Sequence, residues 1–133
     1  MVLRIALTLI LAYCYFSCKE KLCGEIQLGD RFVVALEEKR NQIIYCTTND
    51  YCCNSGLNAV PMGVTDYGFD DRWIIARTSA DKYWIIDKDL KVGSEKEDCY
   101  KILVDHIKGN LGLEEFDRLK KELGIEINLI NVE

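Results

Sequence analysis

Seven cysteines, at positions 14, 18, 23, 46, 52, 53 and 99, carry most of the reactive chemistry in this 133-residue chain. So many in a short chain point either to a metal site or to an oxidising compartment where cysteines pair. Cys46, Cys52, Cys53 and Cys99 are candidates for both. As zinc ligands they lack the paired Cys-x-x-Cys knuckles of structural zinc centres, and the same lack argues against thioredoxin-like chemistry. As disulfide partners they are better placed, because Cys46 ends an apolar run and the polar segment after it carries Cys52 and Cys53. Adjacent cysteines rarely bond to each other, since the peptide between them would be strained. One of Cys52 or Cys53 is therefore expected to bond to Cys46 or Cys99, leaving Cys23 as the odd one out.

His106 is the single histidine. It could serve as a base for a cysteine nucleophile, but nothing local completes such an arrangement, and a structural histidine on a helix is the simpler reading. Asp66, Asp70 and Asp71, or Asp87 and Asp89, could offer oxygens to calcium, yet no EF-hand spacing is present and aspartates at strand ends are what turns use. Phosphate-cradling glycine loops and the Gly-x-Ser-x-Gly nucleophile elbow are missing. No catalytic residue, metal or cofactor is expected. Trp73, Tyr83 and Trp84 could form a binding face, although alternation along a strand turns some of them inward. A formal charge of −5 argues against nucleic acid as a partner, because no basic patch is left over for phosphates.

The N-terminal residues 1–17 read as a signal peptide. Arg4 supplies the positive start, and Ile5–Phe16 is an apolar run too short to span a bilayer as a mature helix. Tyr15-Phe16-Ser17-Cys18 resembles a lipobox, in which a small residue precedes a cysteine that is acylated and becomes N-terminal. Cys18 is the expected lipidation site; Cys14 competes less well because bulky Tyr13 precedes it. Residues 18–29 read as a tether and 30–133 as one domain, long enough for a real core.

The elements that must position these side chains start with Asp66–Asp87, where two Ile-Ile pairs and both tryptophans flank a polar turn. Aromatic and β-branched residues in that order predict a hairpin of central strands covered on both faces. Arg31–Leu36 and Gln42–Cys46 predict a second hairpin. Asp30-Arg31-Phe32-Val33-Val34-Ala35 matches Asp71-Arg72-Trp73-Ile74-Ile75-Ala76 by class, through duplication or, more simply, through convergence on one burial pattern. Val60, Met62 and Val64 suggest a short edge strand, and Gly68 a turn at positive φ. Ser94 with Glu97 forms a capping box for a helix running to Gly109, a second helix ends at Gly124, and Ile125, Ile127 and Leu129 alternate as a last strand. The fold class is α+β: an antiparallel sheet of four to six strands built from two hairpins, with two C-terminal helices packed on one side.

Val64-Thr65-Asp66-Tyr67-Gly68-Phe69-Asp70-Asp71-Arg72-Trp73-Ile74-Ile75-Ala76-Arg77, followed by Tyr83-Trp84-Ile85-Ile86-Asp87, resembles a family of small bacterial lipoproteins, domain of unknown function 3997. The resemblance implies location and class, and no activity. The expectation is a non-enzymatic lipoprotein, anchored by lipid to a membrane of the bacterial cell envelope, that displays a small domain for binding, with another envelope protein as a partner. The alternative is an immunity or inhibitor lipoprotein that neutralises a toxin or hydrolase.

Overall fold

The computed structural model describes residues 23–47, 56–61, 63–90 and 96–132. Residues 1–17, Cys18, Cys52, Cys53, Met62 and Ser94 lie outside them, and so do the expectations placed on those residues. The strands divide into two antiparallel sheets rather than one. The first takes β1 (Glu25–Gly29), β2 (Phe32–Ala35), β3 (Gln42–Cys46) and β4 (Gly56–Val60), in chain order. The second takes β5 (Val64–Phe69), β6 (Trp73–Thr78), β7 (Tyr83–Asp87) and β8 (Ile107–Leu111), again in chain order, with β9 (Ile130–Asn131) on the far side of β5. Helix α1 (Lys96–Asp105) lies between β7 and β8 in the chain, and helix α2 (Leu113–Leu123) between β8 and β9. The class is α+β.

Two apolar clusters show how the layers stack. Phe32, Val34, Ile43 and Tyr45 of the first sheet pack against Ile74, Ala76 and Ile86 of the second, and Leu103 of α1 joins the same cluster. On the opposite face of the second sheet, Ile75, Tyr83, Ile85 and Leu111 are covered by Phe116 of α2 and by Ile125. The helices therefore do not share one side. A strand with apolar groups on both faces needs a cover on each, and β6 and β7 receive one sheet and one helix.

The two hairpins have matching registers. Val33 faces Ile44 and Val34 faces Ile43, as Ile74 faces Ile86 and Ile75 faces Ile85. Their orientation differs: Val34 points into the inter-sheet core, whereas its counterpart Ile75 points at α2. The chain passes from the first sheet to the second between β4 and β5, and the Asn41 carbonyl accepts from the amides of both Gly63 and Val64 at 2.9 Å. Val60 and Val64 thus belong to different strands in different sheets.

Three further segments depart from expectation. Residues 25–29, read as tether, are the first strand, with Leu28 fully buried. Ile107 and Gly109 are not in a helix but in β8, where Gly109 lies beneath the Trp84 ring. Gly68 sits inside β5 rather than at a turn, and the segment 125–129 is not a regular strand. Gly124 does end α2, in the left-handed conformation at φ 68°, with its amide turned back to Lys120 and Lys121 carbonyls.

Candidate functional site

The three aromatic candidates are split between faces. Trp73 packs with the outer cluster, and Tyr83 stacks on Phe116 there at 4.6 Å between ring centroids. Trp84 packs with the inter-sheet cluster, so the trio forms no common binding face. A Cβ on Gly109 would lie 1.9 Å from the Trp84 ring, which shows how closely that ring rests on β8. Among the described residues, Trp84 Nε1 is the buried side-chain donor without an acceptor, an arrangement that costs about 1–3 kcal/mol. Exposed apolar surface lies elsewhere. Tyr100 and Val104 stand one turn apart on α1, 60% and 48% exposed, while Cys99 and Leu103 on the same helix are buried.

Cys23 and Cys46 are both disulfide-bonded, so Cys23 is not the odd one out. His106 follows α1, and its Nδ1 lies 2.8 Å from the Ile102 carbonyl. A carbonyl only accepts, so Nδ1 donates this bond.

A polar cluster stands where β7 leaves the second sheet. The register places Trp73 opposite Asp87, which brings Arg72 beside that carboxylate. Arg72 Nε donates to Asp87 Oδ1 at 3.3 Å and Nη2 to Oδ2 at 3.1 Å, while the Asp89 amide donates to Oδ1 at 3.0 Å. The guanidinium also lies over the Trp73 ring, 4.7 Å from its centroid. Asp70 Oδ1 accepts from the amides of Arg72 and Trp73 and so closes the β5–β6 turn. Burial works against the Asp87 charge, but the hydrogen bonds from Arg72 and the Asp89 amide, with the charges of Arg72 and His106, hold its carboxyl below the usual range.

Next in sequence, Lys88 is enclosed, with its side chain only 3% exposed. Its Nζ donates to the Leu28 carbonyl at 2.8 Å, lies 3.8 Å from Asp30 Oδ2, and sits 5.5 Å from the centre of the Phe69 ring. The β1–β2 turn that it meets runs through three positive φ values, 82° at Gly29, 51° at Asp30 and 70° at Arg31. The lysine thus fastens that turn to the second sheet, and its charge is compensated where it is buried. Arg72 and Asp87 are thus occupied with each other, and Lys88 with the Leu28 carbonyl and Asp30, so these groups fasten the fold. Among the described residues, no three of His, Cys, Asp or Glu are grouped to hold a metal.

The lowered Asp87 pKa has a direct consequence for acid stability. The pair stabilises the fold above the ordinary carboxyl value of 3.8, and that contribution is lost as pH falls through the lower folded-state value. Asp87→Asn is expected to be less stable than the parent at about pH 7, and the gap should narrow in acid, below the ordinary carboxyl value of 3.8. Urea melts under both conditions check this; a gap of equal size in the two would exclude the assigned cause.

Sequence comparison adds a family. The pattern of a protein of unknown function (DUF3997) matches residues 28–133, which takes in both sheets and both helices. No curated protein and no solved structure matches the chain.

Proposed function

The chain belongs to the DUF3997 family of proteins of unknown function, and from that premise we propose that it is a non-enzymatic lipoprotein of the bacterial cell envelope. A lipid on Cys18 anchors it, and the two-sheet domain is displayed for binding. The observation that carries this reading is the bonded state of Cys23 and Cys46, because disulfides persist where chains have been exported to an oxidising space. The apolar run ending at Ser17-Cys18 supplies the export signal and the acceptor thiol. For binding, Tyr100 and Val104 offer an apolar stripe on α1 of the kind that packs against a protein partner. The formal charge of −5 supports a second reading, in which the partner is a basic toxin or hydrolase that this chain neutralises.

Mass spectrometry of the mature N-terminus tests the anchor. The expected product begins at an acylated Cys18, and Cys18→Ala should move the protein from the membrane fraction to the soluble one. Unchanged membrane attachment of that variant, or an unmodified N-terminus at another residue, would overturn the anchor.

A further inference from the structure

We propose that Cys23 and Cys46 belong to two different disulfides, one at each end of the first sheet, so that the domain carries two cross-links.

Both cysteines are bonded, and the strand register keeps them apart. Cys46 closes β3 at the end where Phe32 faces Tyr45, and its amide donates to the Arg31 carbonyl at 2.8 Å. Cys23 precedes β1 at the other end, where Glu25 faces Ala35 and the Gly24 carbonyl accepts from Leu36 at 2.8 Å. Between these ends lies the whole of β2, and β1 is two strand spacings from β3. With about 3.3 Å per residue along a strand and about 4.8 Å between strands, the two Cα atoms are roughly 20 Å apart. A disulfide spans at most about 7 Å between Cα atoms. Cys23 and Cys46 therefore draw on two others of the seven cysteines.

Each bond forms when two thiols give up two protons and two electrons to an oxidising protein disulfide of the export compartment, which is released as a dithiol. The cross-links close the first sheet at both ends. The count has a consequence for the anchor, and here the inference rests on the lipoprotein reading. With Cys18 acylated and Cys14 removed with the leader, five cysteines remain, so two cross-links leave one thiol.

The test is non-reducing peptide mapping of the full-length chain, exported by its own leader, purified from the envelope and alkylated under denaturing conditions. The expected result places the Cys23 and Cys46 peptides in separate cross-linked species, with one alkylated cysteine in the acylated protein. A Cys23–Cys46 cross-linked peptide overturns the proposal, and so does either cysteine recovered as an alkylated thiol. A Cys18–Cys23 link would support two separate disulfides and at the same time overturn the lipid anchor, so the two ideas fail by different signals.

Discussion

Phe32→Ala is expected to cost about 3–5 kcal/mol, the largest loss of any single truncation discussed for this domain. Phe32 is completely buried on β2, with its ring 5.1 Å from that of Tyr45 and tilted by 56° to it. It belongs to the cluster that both sheets and Leu103 of α1 share, so the cavity would open between the layers rather than at an edge. Domains of this size are stable by about 5–15 kcal/mol, so the variant would keep only part of its margin. Equilibrium urea unfolding measures the difference. Leu113→Ala, at a site 54% exposed on α2, serves as the contrast and should stay within about 0.5 kcal/mol of the parent. Equal losses in the two variants would contradict the placement of the core.

Gly68→Ala is the second large effect, and here the sign is informative. Its φ is not positive, so backbone freedom is not the reason for glycine at this point in β5. The reason is space: an added Cβ would lie 2.5 Å from the Asn128 carbonyl oxygen, 2.8 Å from Ile127 Cγ2 and 3.2 Å from Ile75 Cγ1. The closest of these atoms is main chain and cannot swing aside, so the segment around residue 128 must lift from the strand. Overpacking of this kind costs about 1–3 kcal/mol. Without a clash, the same change would stabilise the fold by about 0.4–1 kcal/mol through the unfolded chain. Lifting the segment would also loosen the Val132 amide from the Thr65 carbonyl, a bond of 3.0 Å. Destabilisation with faster hydrogen exchange at Val132 is the expected pair of results. A stabilised variant with unchanged exchange would rule out the close approach.

The same residues show what a sequence can disclose about this fold. The Ile-Ile pairs identified β6 and β7 because they load both faces of a strand, and each pair does divide between the two clusters. That double loading also removed the alternation that says which face meets which layer. Matching runs at Phe32–Ala35 and Trp73–Ala76 could therefore point in opposite directions without any trace in the pattern. The aromatic trio failed as a face for a related reason: Tyr83 and Trp84 are neighbours on one strand and must diverge. The alternation of Ile26 and Leu28 is present in the sequence, but it follows so closely on the apolar N-terminal run that it reads as tether. The position of Cys23 at a sheet end is lost with it. In β8, Lys108, Gly109 and Asn110 carry no strand propensity, and Gly109 is required there by the Trp84 ring. The Arg72–Asp87 pair joins residues 15 apart across a hairpin, and hairpin register alone would have revealed it.

The order of strands within the sheets also bears on how the chain finds its fold. Within each sheet, β1 to β4 and β5 to β8 pair only with their neighbours in sequence; β9 on β5 is the exception among the described residues. Pairing that advances in this way closes short loops, and the entropy lost in closing a loop grows with its length. Low sequence separation between contacts speeds the search for the native state, even in a chain rich in strands. Each meander can assemble from a contiguous stretch, the first from residues 25–60. The longest closure, between Ile130 and Tyr67, has no counterpart to assemble on until β5 is in place.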